Sequence, residues 1–102
     1  MDILITYDIE EKAGSVEKNT AVKKAMKANG YLDYFTTTDS TTNAKTTYYL
    51  PNTSLWKKNI TVVTAKADLL KAAKDNGAVV ERLFATQFVN WDAIPGKKYV
   101  EK

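Results

Sequence analysis

Ile3-Leu4-Ile5-Thr6-Tyr7-Asp8-Ile9 is the stretch on which the fold turns. It is β-branched, aromatic and apolar on both alternating faces, the pattern of a strand in the middle of a sheet. Downstream the period changes from two to about 3.6. Ala21, Val22, Ala25, Met26 and Ala28 fall on one side of a helical wheel, and Lys23, Lys24 and Lys27 fall opposite. Ser15 is placed as an N-cap with Glu17 in the first turn, and Asn29-Gly30 supplies a left-handed stop. A strand followed by an amphipathic helix that lays its alanine-rich side on the sheet is the expected opening.

Further along, Tyr31 to Thr38 and Lys45 to Leu50 are rich in aromatic and β-branched residues and predict two more strands. The turn-rich stretch Asp39 to Ala44 joins them as a hairpin. Leu50-Pro51-Asn52-Thr53-Ser54-Leu55-Trp56 predicts a strand break and a loop anchored by Leu55 and Trp56. Residues 57 to 64 are open between a strand extension and a helix start at Thr61 or Thr64. A second helix is expected over Ala65 to Asn76, with Ala65, Leu69, Leu70, Ala72 and Ala73 inward, and a last strand over Ala78 to Val89.

The expected fold class is therefore α+β, a two-layer ferredoxin-like βαββαβ sandwich whose antiparallel sheet carries both helices on one face. One domain, residues 1–89, is followed by a tail, 90–102, whose Trp91, Ile94 and Tyr99 are too apolar for a solvated end. The tail is expected to pack on the domain's own edge or on a second protomer. The helix-free face, with candidates Tyr31, Tyr34, Phe35, Tyr48, Tyr49, Phe84 and Phe88, is where a partner, a nucleic acid or a second copy would bind.

Composition narrows the chemistry. The 102 residues contain no cysteine and no histidine, which removes Ser-His and Cys-His catalysis, disulfides and Cys- or His-ligated metal sites. Fourteen lysines and one arginine, Arg82, face twelve acids, for a net charge of +3. That excess permits nucleic-acid binding, but a single arginine argues against base readout, which favours its planar fork. No apolar run approaches bilayer length and no leader precedes the first strand, so a cytoplasmic protein without membrane contact is expected.

The acid singled out is Asp8, at the carboxyl end of the first strand and followed by Glu10 and Glu11. Such a cluster can hold Mg²⁺ or Mn²⁺ through oxygen ligands and direct a water at a phosphodiester. The alternative is that Asp8 begins a turn and the glutamates are solvated. Lys23, Lys24 and Lys27 are the candidate phosphate contacts, against the ordinary reading of a solvated helix face. Tyr34, Tyr48, Phe88 and Trp91 are the candidate dimer or partner surface.

The first strand, followed by a helix and a hairpin, resembles the opening of the Cas2 family of CRISPR-associated proteins. The stretches Val63-Thr64-Ala65-Lys66-Ala67-Asp68 and Arg82-Leu83-Phe84-Ala85-Thr86 are similar to Cas2-like SinR-type proteins. The resemblance implies a ferredoxin-like homodimer that handles RNA or DNA, with Asp8 near its symmetry mate and binding a divalent metal in members that cleave nucleic acid. Two functions are carried forward. One is a Cas2-like dimer, in its catalytic form a metal-dependent endonuclease with Asp8 as catalytic and metal-binding residue. The other is a non-catalytic dimeric protein-binding module of the phage or mobile-element type.

Overall fold

A computed structural model describes residues 1–10 and 15–96. Glu11 and Tyr99, invoked above, lie outside the described residues, as does the Ser15 side chain. The elements are β1 (Ile3–Ile9), α1 (Ser15–Ala28), β2 (Tyr34–Thr38), β3 (Lys45–Tyr49), β4 (Ser54–Lys57), α2 (Val62–Asp75) and β5 (Val80–Gln87). The class is α+β with antiparallel pairing throughout, but there is one strand more than the sequence predicts.

β1 is the centre of a three-stranded sheet in the order β4-β1-β5, while β2 and β3 form a separate hairpin. The expected single four-stranded sheet is therefore corrected. Strand Tyr31–Thr38 does not run alongside the sheet. It touches it at one bridge, where Leu32 and Trp56 exchange both backbone hydrogen bonds at 2.9 Å, and then leaves with β3. The strand that flanks β1 is β4, at the place where a loop was expected. Pro51 does end β3, but Ser54 N–H bonds Pro51 C=O and the chain turns straight back into extended structure.

The pleat of β1 divides the molecule. Ile3, Ile5, Tyr7 and Ile9 are buried under the helices with Leu55 of β4, Val22 and Met26 of α1, and Ala65, Leu69, Ala72 and Ala73 of α2. Cross-strand partners share a face, so Leu4, Thr6 and Asp8 stand on the other side with Trp56, Ser54, Thr86, Phe84 and Arg82. α2 starts at Val62 because Thr61, in extended conformation, caps it by accepting the Thr64 N–H at 3.1 Å. Of its expected inward residues Leu70 is the exception and lies exposed.

Two side chains assigned to the surface are in the core. Tyr31, expected on the helix-free face, is 1% exposed and donates its hydroxyl to Asp68 of α2 at 2.8 Å. Lys23, expected on the solvent side of α1, is 3% exposed. Lys23 and Lys27 both approach Asp33 Oδ2 at 3.5 Å, and Lys23 also reaches Asn52 Oδ1 at 3.4 Å. Helix α1 has two sides to bury, one against the sheet and one against the base of the hairpin, and a wheel drawn for one buried side turns Lys23 the wrong way.

Burial, with the hydrogen bond and negative charge of Asp68, pushes the Tyr31 phenol well above its ordinary value of 10.0. The folded phenol keeps its proton where the unfolded one loses it. Its contribution to stability is complete below about pH 10 and is lost as pH rises beyond that. In a spectrophotometric titration Tyr31 is expected to ionise in a late phase above its ordinary value, and Tyr31→Phe to remove one tyrosine from that phase and flatten the alkaline loss of stability. A late phase unchanged in Tyr31→Phe would contradict the buried hydrogen bond.

Candidate functional site

The helix-free face has two regions. Toward one end, β1 and β5 pair with a register shift between Asp8 and Ile9, so that Asp8 faces Arg82 while Ile9 faces Val80. The extra residue is Glu81. A bulge of this kind re-aims side chains, and here it puts Glu81 and Asp8 on either side of the chain's one arginine. Arg82 Nε donates to Asp8 Oδ2 at 2.9 Å, and Arg82 Nη1 lies 3.0 Å from Glu81 Oε1. Both acids hold the guanidinium pKa above its ordinary value, the hydrogen bond to Asp8 most strongly.

A cleft of about 510 Å³ runs along Thr6, Asp8, Arg82 and Phe84. A second, of about 300 Å³, lies beside it against Asp8, Glu10, Glu81 and Arg82. The Asp8–Arg82 pair is solvent-exposed, so it is screened by water and adds little to stability. Its interest is chemical. The carboxylate expected to hold Mg²⁺ or Mn²⁺ already faces a fixed cation, and no group of three metal-ligating side chains forms among the described residues. Among the described residues of one chain, the surroundings of Asp8 do not fit a divalent metal.

At the other end the hairpin folds over the sheet. Cross-strand pairing puts Phe35 and Tyr48 on its inner face and Tyr34 and Tyr49 on its outer face. Phe35 stacks between Trp56 (centroids 4.4 Å, 15°) and Trp91 (4.6 Å, 28°) and meets the edge of Phe88 at 5.6 Å. Tyr48 meets Trp91 at 5.4 Å, and Trp56 Nε1–H donates to Tyr34 C=O at 2.7 Å.

Of the four aromatics singled out from sequence, Tyr48, Phe88 and Trp91 thus come together and Tyr34 does not join them. Trp91, in the tail, packs on residues of its own chain. Of the three lysines only Lys24 is exposed; Lys27 is half-buried against Asp33, and Lys23 is inside. Two participants were missed, Arg82 as the partner of Asp8 and Trp56 as the base of the aromatic stack. The signal for the first was its being the chain's one arginine, in a strand expected to pair with β1.

No described helix is long and apolar enough to cross a membrane. Comparison of the chain with protein-family models, curated proteins and solved structures finds no match. What the fold defines is a small α+β protein with seven elements among the described residues, and no matching family supports the resemblance to Cas2.

Proposed function

We propose that the chain is a non-catalytic binding module that pairs with a second copy of itself, and thereby presents a docking surface to a protein partner, through the sheet face at β5. The observation that carries this is Phe84. It is 64% exposed in the middle of an eight-residue edge strand, beside the Asp8–Arg82 pair and on the face that no helix covers. A large ring exposed beside a fixed ion pair on a strand edge has the composition of an interface centre rather than of a solvated surface. The locked Asp8 and the buried Lys23 both weigh against catalysis and phosphate binding as the primary role.

The nucleic-acid reading is kept for one reason, which is that Asp8 lines both clefts on this face. In it, Asp8 residues of two chains would share Mg²⁺ or Mn²⁺ once Arg82 moves aside. One experiment separates the two. Wild type, Phe84→Lys and Asp8→Asn are examined by sedimentation equilibrium and incubated with labelled RNA and DNA in Mg²⁺ or Mn²⁺ and in EDTA. The expected result is a wild-type dimer, association weakened by Phe84→Lys by about 30-fold or more as for an interface hot spot, and no metal-dependent cleavage. A wild-type monomer at every concentration removes the module reading. Metal-dependent cleavage lost in Asp8→Asn replaces it with the nuclease.

A further inference from the structure

Between the inner face of the hairpin and the segment that follows β5 lies a pocket of about 240 Å³ that neither function above uses. Its walls are Phe35, Tyr48, Phe88 and Trp91, with Leu4 on the sheet and Asp92 among the lining residues. The rings are held in place by one another, Trp91 stacked on Phe35 and edge-on to Tyr48, so the site needs little ordering on binding. Trp91 is 40% exposed, which leaves it within reach of a solute. Asp92 is the charged member. One of its oxygens accepts the Ala93 N–H at 2.8 Å, and among the described residues it forms no ion pair.

We propose that this pocket binds a small organic ammonium cation, a quaternary or methylated amine. Aromatic walls attract a cation through the negative faces of the rings. The carboxylate of Asp92 adds an opposite charge without demanding a particular hydrogen-bond geometry. The methyl groups of such a cation are apolar and suit a lining that offers few polar contacts, whereas an anion would be repelled by Asp92 and a bare metal ion would lack ligands. Phe84 is not among the residues that line the pocket, so the proposal does not rest on the dimer.

The test follows the indole N–H resonances of Trp56 and Trp91 during titration with choline chloride, with 3,3-dimethyl-1-butanol as its neutral isostere and sodium chloride as the ionic-strength control. Choline is expected to shift the Trp91 signal saturably with Kd on the order of millimolar, and the isostere to bind about tenfold more weakly. Asp92→Asn keeps an acceptor for the Ala93 N–H but removes the charge. It is expected to weaken choline about fivefold and leave the isostere unchanged. Trp91→Phe, which retains a ring on Phe35, reports whether a change in binding is local while the Trp56 signal verifies the fold. Equal binding of choline and the isostere, an unchanged choline affinity in Asp92→Asn, or no saturation by about 50 mM overturns the proposal.

Discussion

Replacement of Asp33 by alanine is expected to cost up to about 3–5 kcal/mol, because it removes a carboxylate that the interior ammonium of Lys23 faces at 3.5 Å, while Asn52 Oδ1 at 3.4 Å remains. The side chains of Lys23 and Asp33 are 4% and 6% exposed, so neither is screened by solvent as the Asp8–Arg82 pair is. Against a total of about 5–15 kcal/mol for a domain of this size, that loss is large enough to leave part of the population unfolded. Urea denaturation followed by tryptophan fluorescence measures it. The double variant Lys23→Met with Asp33→Asn removes the buried charge together with its partner and is expected to recover most of the loss, since an apolar group of similar volume replaces an ion pair at little net cost. If Asp33→Ala costs less than about 1 kcal/mol, the lysine reaches water along its stem, and Lys23 returns to the set of candidate phosphate contacts.

The second large effect is expected at Trp56. Its backbone pairs with Leu4 on one side and Leu32 on the other, its ring supports Phe35, and its indole N–H is bonded to the Tyr34 carbonyl. Trp56→Ala is expected to lose about 3–5 kcal/mol, and the loss should be uneven. A two-stranded hairpin is at best marginally stable alone in water, so amide exchange should accelerate across β2 and β3 more than across β1 and β5. Trp56→Phe keeps a stacking ring and removes only the N–H, for about 1 kcal/mol. A uniform acceleration across both sheets in Trp56→Ala would mean that the hairpin and the sheet unfold as one unit.

These two sites also show where sequence reading reached and where it stopped. β1 was legible because its seven residues are apolar on both faces, and α2 because four of its five expected inward residues are buried. β4 was hidden by its brevity and its surroundings. Four residues after a proline carry no periodicity, and Leu55 and Trp56 are both buried because one lies under the helices and the other under the hairpin. Lys23, read as part of a solvated helix face, and Tyr31, placed with the aromatics of the helix-free face, are both inside because Asp33 and Asp68, remote or out of phase in the sequence, meet them there.

Asp8 was singled out from its position at a strand end, and its neighbour Arg82 was not. The pairing with Arg82 spans 74 positions and depends on a one-residue bulge in the β1/β5 ladder. Register shifts of that kind have no local signature in either strand. The aromatic stack was half legible, as a set of rings too apolar to be solvated, but which rings meet is decided by the side of the hairpin that turns toward the sheet.

The tip of that hairpin has a different use. Residues 39–44 are all exposed, and the loop is closed by its own contacts. Asp39 accepts the Thr41 and Thr42 N–H groups at 2.7 and 3.1 Å, which hold its carboxyl below the usual range, and Asn43 takes the left-handed conformation at φ 58°. None of its residues belongs to the core. Foreign peptide grafted between Ser40 and Thr42 would therefore be carried on a stalk clear of both the sheet and the helices, which makes this chain a small cysteine-free scaffold for displaying a sequence at the end of a β-arm.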